Sequence, residues 1–235
     1  IEDRHMNVVI VKMAHSASRT FYSQGYKEGE KVSPVCWSSD SRGPDAEVKS
    51  PQSKSCETCQ FSAKGSGTNG TGSACRLSWR MAVVLPNDPA GDVMQLVLPA
   101  TSCFGKEENG KFPFRPYIQM LANHNISAGR VITKMQFDTK SPTPKVLFSP
   151  AGAVAPEDKE TILRQSKSHV AEQAIKMTVY QVDSQGESSS EEFAPTSQVS
   201  AQTDEAEPVL RDPSAKTEKV NNLSDVVNKW SKKTS

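Results

Sequence analysis

"LSWRMAVVLPNDPAGDVMQLVLPATS", Leu77 to Ser102, sets two apolar, strand-sized runs on either side of a segment built from Pro, Asn, Asp and Gly. Runs of this length bounded by turn formers read as strands, and the segment between them as the extended turn of a hairpin. A hairpin in the middle of the chain predicts a mainly β body. The neighbouring segments agree with it.

Downstream, "FPFRPYIQMLANHNI" spaces Tyr117, Met120, Leu121 and His124 at helical intervals after a proline, which predicts a short helix. "RVITKMQFDTK" and "TPKVLFSPAG" alternate apolar and polar residues across "SPTP" and predict a second hairpin. From Pro156 to Lys176 the first turn is acidic and Ile162, Leu163, Val170 and Ala174 lie along one side, the pattern of one amphipathic helix. "MTVYQV" reads as a last strand. Upstream, "MNVVIVKMAHSASRTFY" reads as a strand followed by a polar turn and two adjacent aromatics.

With 235 residues, 35% of them hydrophobic, 13 Gly and 15 Pro, the chain can support one modest core, so part of it is expected to be unpacked. After Asp183 the composition shifts to Ser, Glu, Thr, Gln and Pro, which cannot offset an ordering cost of about 1 to 2 kcal/mol per residue. The expected organisation is therefore a β domain over 1–182, a disordered acidic linker over 183–221 and a short amphipathic segment over 222–235. In that last segment Leu223, Val226, Val227 and Trp230 share one helical face, too short to be stable alone, and are expected to order on a partner protein or a second copy.

The formal net charge of +1 hides an asymmetry: Asp183 to Leu210 contains seven acidic residues and no basic one, whereas the segment before Val154 is mildly basic. A basic surface attracts polyanions, and a tethered acidic segment competes with them. The longest apolar runs, near Val8 to Val11 and Val93 to Leu98, are strand-sized and far short of a membrane span. No charged-then-apolar leader opens the sequence, and its start at Ile1 rather than Met points to residues lost ahead of it.

Five cysteines stand at Cys36, Cys56, Cys59, Cys75 and Cys103, with 19, 2, 15 and 27 residues between them. The odd count disfavours a disulfide framework. The first four lie in a Gly-, Ser- and Thr-rich stretch, 35–76, with almost no apolar periodicity, so it cannot fold by hydrophobic burial. Four thiolates at the corners of a tetrahedron suit zinc: Cys56-x-x-Cys59 supplies two from one tight turn, and Cys36 and Cys75 close the site from flanking segments. The metal would hold this insert shut in place of a core. Cys103 is expected to be a small buried hydrophobe.

His5, His15, His124 and His169 have no metal-like or triad-like spacing, and no nucleophile elbow, P-loop or dinucleotide fingerprint is present. "KGSGTNGTGSACR" lacks the Gly-Lys-Ser/Thr ending of a phosphate loop. Binding, not catalysis, is the expectation. Five to six strands with one helix between the third and fourth suit a small β-barrel of the oligonucleotide-binding (OB) type, which binds single strands by stacking bases on aromatics and tracking phosphates with Lys and Arg. The candidate contacts are Arg19, Phe21, Tyr22, Tyr26, Trp37, Lys64, Arg76, Trp79 and Arg80. Of these Tyr22, Tyr26 and Trp37, in polar settings, are expected to be exposed.

The segments "RTFYSQGY", "VCWSSDSRGPD", "SCETCQFSAKGSG", "ACRLSWRMAVVL", "QLVLPATSCFGK" and "KMQFDTKSPTPKVLF" together resemble a group of bacteriophage-encoded single-stranded DNA-binding proteins, over about Ser18 to Phe148. The resemblance implies an OB-fold barrel with a zinc-ribbon-like insert and a flexible tail, acting on single-stranded DNA during replication or recombination in the host cytoplasm. Two other roles fit the same residues. One is a phage transcription cofactor that recruits a polymerase to single-stranded DNA; the other is a zinc-containing virion structural or assembly protein.

Overall fold

A computed structural model describes residues 5–25, 32–68 and 70–179. Tyr26, the acidic linker and the C-terminal segment with Leu223, Val226, Val227 and Trp230 lie outside the described residues.

The body is an antiparallel sheet with the strand order β3-β2-β4-β1-β6-β7, and β5 pairs with β4 off that path. The strands are β1 (His5–Met13), β2 (Ser18–Phe21), β3 (Cys36–Ser38), β4 (Cys75–Val84), β5 (Met94–Pro99), β6 (Val131–Phe137) and β7 (Val146–Ala153). The helices are α1 (Ala100–Cys103), α2 (Phe114–Asn123), α3 (Lys159–Ser166) and α4 (His169–Ile175).

β4 organises the sheet. One edge of its first half pairs with β2, from Ser18↔Ser78 to Phe21↔Cys75, and its second half pairs with β1, from Val9↔Val84 to Met13↔Met81. β1 and β2 thus act as one strand broken at Ala14 to Ala17, and a bulge between Ile10 and Lys12 bends it further. The other edge of β4 pairs with β5 from Ser78↔Pro99 to Val83↔Met94. β6 then pairs with β1 and β7 with β6, where Pro150 sits beside a bulge that spares it a ladder donor. β5 and β7 are not hydrogen-bonded into one ladder, so the sheet is not closed into the expected barrel.

The uninterrupted apolar runs of β1 and β4 follow from burial of both sheet faces. Alternation sends Val8, Ile10, Met81 and Val83 to one side, where they pack with Leu98, Phe148 and with Phe114, Tyr117 and Leu121 of α2. Val9, Val11, Ala82 and Val84 go to the other side, beneath Ile162 of α3 and Ala171 and Ala174 of α4. α2 carries Pro116 in its first turn, where the missing N–H costs nothing.

The two predicted hairpins and the α2 helix are present. The single helix expected over Pro156 to Lys176 is instead two, because Ser168 caps the second: its Oγ accepts from Ala171 N at 3.2 Å and donates to Gln165 O at 2.8 Å. Leu163 and Val170, expected on the buried side, are exposed. The expected last strand is irregular over Met177 to Val179, where Met177 and Val179 pack on a third, smaller cluster, and the rest of it lies outside the described residues.

Candidate metal and nucleic-acid sites

The third cluster lies at the β2–β3 end of the sheet and contains Phe21, Cys36, Trp37, Val48 and Cys75. The ladder explains why. Phe21 faces Cys36 across one of its edges and Cys75 across the other, so the two cysteines flank one aromatic on the same face of the sheet. Arg19 and Ser38 follow two residues along on that face. The polar loop between β3 and β4 folds back over it, and Phe61 stacks on Phe21 with ring centroids 4.2 Å apart and planes at 23°. The expectation that nothing apolar supports this region is thereby corrected: the sheet supplies half of a small core and the loop the other half.

The loop is ordered by its own short polar side chains. Asp40 Oδ1 accepts from Arg42 N at 2.8 Å and Asp45 Oδ1 from Ser39 N at 2.9 Å. Arg42 O accepts from Cys56 N at 2.9 Å, and Ser41, at φ 63°, donates its hydroxyl to Ala17 O at 2.6 Å. The glycine-rich arm is a narrow loop in which Gly72 O accepts from Gly65 N at 2.9 Å and Gly67 N at 3.0 Å.

Cys36, Cys56, Cys59 and Cys75 line a single cavity of about 10 Å³, together with Arg19 and Phe61. That is the space of roughly one water molecule. Cys36, Cys56 and Cys75 are buried, Cys59 is half-buried, and none forms a disulfide. As the side chains stand, no group of three or more ligating residues among those described is drawn together tightly enough to hold a metal ion. Burial pushes the Cys56 and Cys75 thiols above their ordinary range, opposed at Cys56 by the Ser38 hydroxyl and then the Arg19 charge, and at Cys75 by the Arg19 charge. Cys103 is elsewhere: fully buried in the main core, its thiol faces Leu98 O at 3.8 Å and burial pushes it up to about 12.

Three buried polar side-chain atoms among the described residues have no hydrogen-bond partner, and two of them, Arg19 Nε and Ser62 Oγ, border the cysteine cavity. Orphaned buried donors are costly, and both of these residues line the cavity that the four cysteines line. The donor set and these orphans fit a thiolate-bound metal.

The expected nucleic-acid contacts are not brought together on one surface. Arg19 shares the cysteine face with Phe21, which is buried. Trp37, expected to be exposed, is 7% exposed and belongs to the third cluster, so its ring is not available for stacking. Thr20 pairs with both Trp37 and Arg76, so Trp37, Arg76, Ser78 and Arg80 lie on the opposite face. Arg76 and Lys64 are exposed, and Tyr22 is 39% exposed. Arg80 is half-buried, donates to Ser18 Oγ, and is pushed below its ordinary range by burial.

Trp79 is half-buried, donates Nε1–H to Ala14 O at 2.9 Å and packs edge-on to Phe114. Beside it lies an arrangement that joins Trp79 to two residues outside the candidate contacts. The Arg115 guanidinium lies 5.9 Å from the Trp79 ring and 5.6 Å from the ring of Phe104, which is 40% exposed. Its members are 79, 104 and 115 in sequence, so no local spacing reveals it. The signal that was present is an aromatic and a cation at the ends of adjacent elements, Phe104 after α1 and Arg115 in the first turn of α2.

Compared with known protein families, curated proteins and solved structures, the chain matches none.

Proposed function

We propose that the chain binds single-stranded DNA through an OB-type sheet whose outer end is clipped by one zinc ion on Cys36, Cys56, Cys59 and Cys75. The observation that carries the metal reading is the meeting of these four cysteines, from two strands and one loop, around one ion-sized cavity with two unpartnered donors at its rim. Bound zinc would supply four metal–thiolate bonds that tie the loop over 39–74 to the sheet. The protein's own part is to place two sulfurs by ladder register and two by a loop whose turns are already hydrogen-bonded. No catalytic step is needed.

The connectivity supports the OB reading. A bent first strand split into β1 and β2, then β4 and β5, then α2, then β6 and β7 is the order of a five-stranded Greek-key barrel of the partly open kind. The DNA reading rests on the Phe104, Arg115 and Trp79 stack. An exposed ring offers a base platform, and a guanidinium held by two rings faces the phosphates with little entropy left to lose. Tyr22 and Arg76 remain contacts on the other surface and Lys64 an exposed contact in the loop; Trp37 and Phe21 are withdrawn, and Arg80 stays as a half-buried support. In this reading the chain serves replication or recombination in a phage-infected cell, as the resemblance of its central segments implies, with 222–235 contacting a partner.

Two measurements test it. Elemental analysis of chelator-free protein should give one zinc per chain, and the paired substitution C56S/C59S should abolish it; a metal-free wild type ends the metal reading. In fluorescence titrations, F104A and R115A should each weaken oligonucleotide binding by about 1 to 3 kcal/mol, with a steep salt dependence. If Y22A and R76A weaken binding while F104A and R115A do not, the opposite face is the interface. If no salt-dependent binding is seen at all, a zinc-stabilised structural protein is the better description.

A further inference from the structure

Arg19 is positively charged and sits among the sequence features that suggest phosphate binding, yet its surroundings point inward. It occupies the middle of β2, opposite Ser38 on one side and Leu77 on the other, on the face that carries Cys36 and Cys75. It lines the cysteine cavity, and its Nε is buried without a hydrogen-bond partner. Ser62 reaches the same cavity from the 3-10 turn Gln60–Ser62, directly after the Cys56-x-x-Cys59 pair. Its Oγ is likewise buried and unpartnered, and Ser62 and Cys75 line the same cavity.

Four thiolates and one Zn²⁺ carry a net charge of −2. In a half-buried pocket that charge requires compensation, and ligand sulfurs are held in orientation by donors outside the metal's own coordination shell. We infer that Arg19 and Ser62 are the positioning residues of the cysteine site. In that role Arg19 supplies a counter-charge and an N–H donor to the sulfurs of Cys56 and Cys75, and Ser62 supplies an O–H donor to Cys75. This assignment rests on the zinc reading above and withdraws Arg19 from the DNA contacts. It also accounts for a residue pattern that neither a phosphate site nor an apolar core explains: an arginine on the cysteine face of β2 that lines the cysteine cavity with its Nε buried and unpartnered.

The test is zinc affinity, measured on the full chain by competition with a chromogenic chelator, for wild type, R19Q, S62A and R76Q. R19Q should weaken zinc binding by about 10- to 100-fold, as losses of such supporting donors do, and S62A by less. R76Q, on the opposite face of the same ladder, should leave zinc affinity unchanged. DNA affinity of zinc-saturated R19Q should match wild type. A cobalt-substituted sample adds a second readout, because a change in sulfur environment shifts the thiolate-to-metal absorption band in R19Q and S62A but not in R76Q. Wild-type zinc affinity in both R19Q and S62A would overturn the assignment, and so would weakened DNA binding by zinc-saturated R19Q. Should R19Q fail to fold, S62A decides alone: unchanged zinc affinity and an unshifted cobalt band overturn the inference. A wild type that binds no zinc overturns the metal reading itself and this role with it, a result distinct from a zinc-loaded R19Q that behaves as wild type.

Discussion

Among the described residues Tyr117 is the largest fully buried side chain, and its hydroxyl meets Thr133 Oγ1 at 2.9 Å across the core. Each oxygen is the other's hydrogen-bond partner, so removing one strands the other in an apolar setting. Tyr117→Phe and Thr133→Val should each cost about 1 to 3 kcal/mol in urea unfolding, and the double substitution clearly less than their sum. Strict additivity would mean that the two hydroxyls are not energetically linked. Cys103 makes the complementary case: fully buried near Leu98, it should be inert to alkylation in the native state, and Cys103→Ala should keep the zinc content of the wild type. The sequence identified Cys103 as a core residue because it follows a strand and sits apart from the other four. It misplaced Trp37, since a polar neighbourhood in sequence says nothing about which distant residues, here those of the Val48 cluster, will cover a ring.

At the scale of elements, regular and long segments were legible and short ones were not. The two hairpins and α2 announce themselves by periodicity and bounding turn residues. β2, with four residues, and β3, with three, are too short to show a period; they exist because β4 offers them an edge. The break between α3 and α4 was written in Ser168, which reads as an interior helix position unless its capping bond is foreseen. The turn of the β6–β7 hairpin carries a testable ion pair, Lys145 Nζ to Asp138 Oδ2 at 3.1 Å, with Glu108 3.2 Å from the same nitrogen. The backbone N–H of Lys140 and the Lys145 ammonium hold the Asp138 carboxyl below the usual carboxylate range, and Asp138 and Glu108 raise Lys145. Asp138 therefore adds stability above its unfolded pKa of about 4, and this is lost as pH falls through the depressed folded value. Lys145 adds stability below its unfolded pKa of about 10.4, lost as pH rises through the raised one. Asp138→Asn should remove up to about 1 kcal/mol at neutral pH and flatten the acid limb of the stability profile. An unchanged acid limb would show that other carboxylates set it.

For the whole molecule, the sequence predicted a β-barrel of the OB type, and what separates a barrel from the open sheet is the pairing of β5 with β7, distant in sequence, information no local pattern holds. Between β5 and β7 runs an apolar groove of about 340 Å³, bordered by Met6, Leu96, Met135, Phe137 and Val146. The charge asymmetry also belongs to this scale. If the body binds DNA as proposed, the seven acidic residues of Asp183 to Leu210 would compete with it for a mildly basic body, so removing 184–235 should tighten oligonucleotide binding at low salt, and the gain should fade as salt is raised. Trp230→Ala alone should leave DNA affinity intact while weakening any partner contact; equal DNA affinity with and without 184–235 would leave the segment no competitive role.

β4 is bonded along one edge to both β1 and β2 and along the other to β5. To expose its amides to solvent, segments from before it and after it must separate together, so no local fluctuation suffices. Deuterium should therefore reach the interior amides of Met81 to Val84 last, at a rate set by global unfolding. The β6–β7 hairpin at the free margin should exchange earlier, through openings that leave the centre intact.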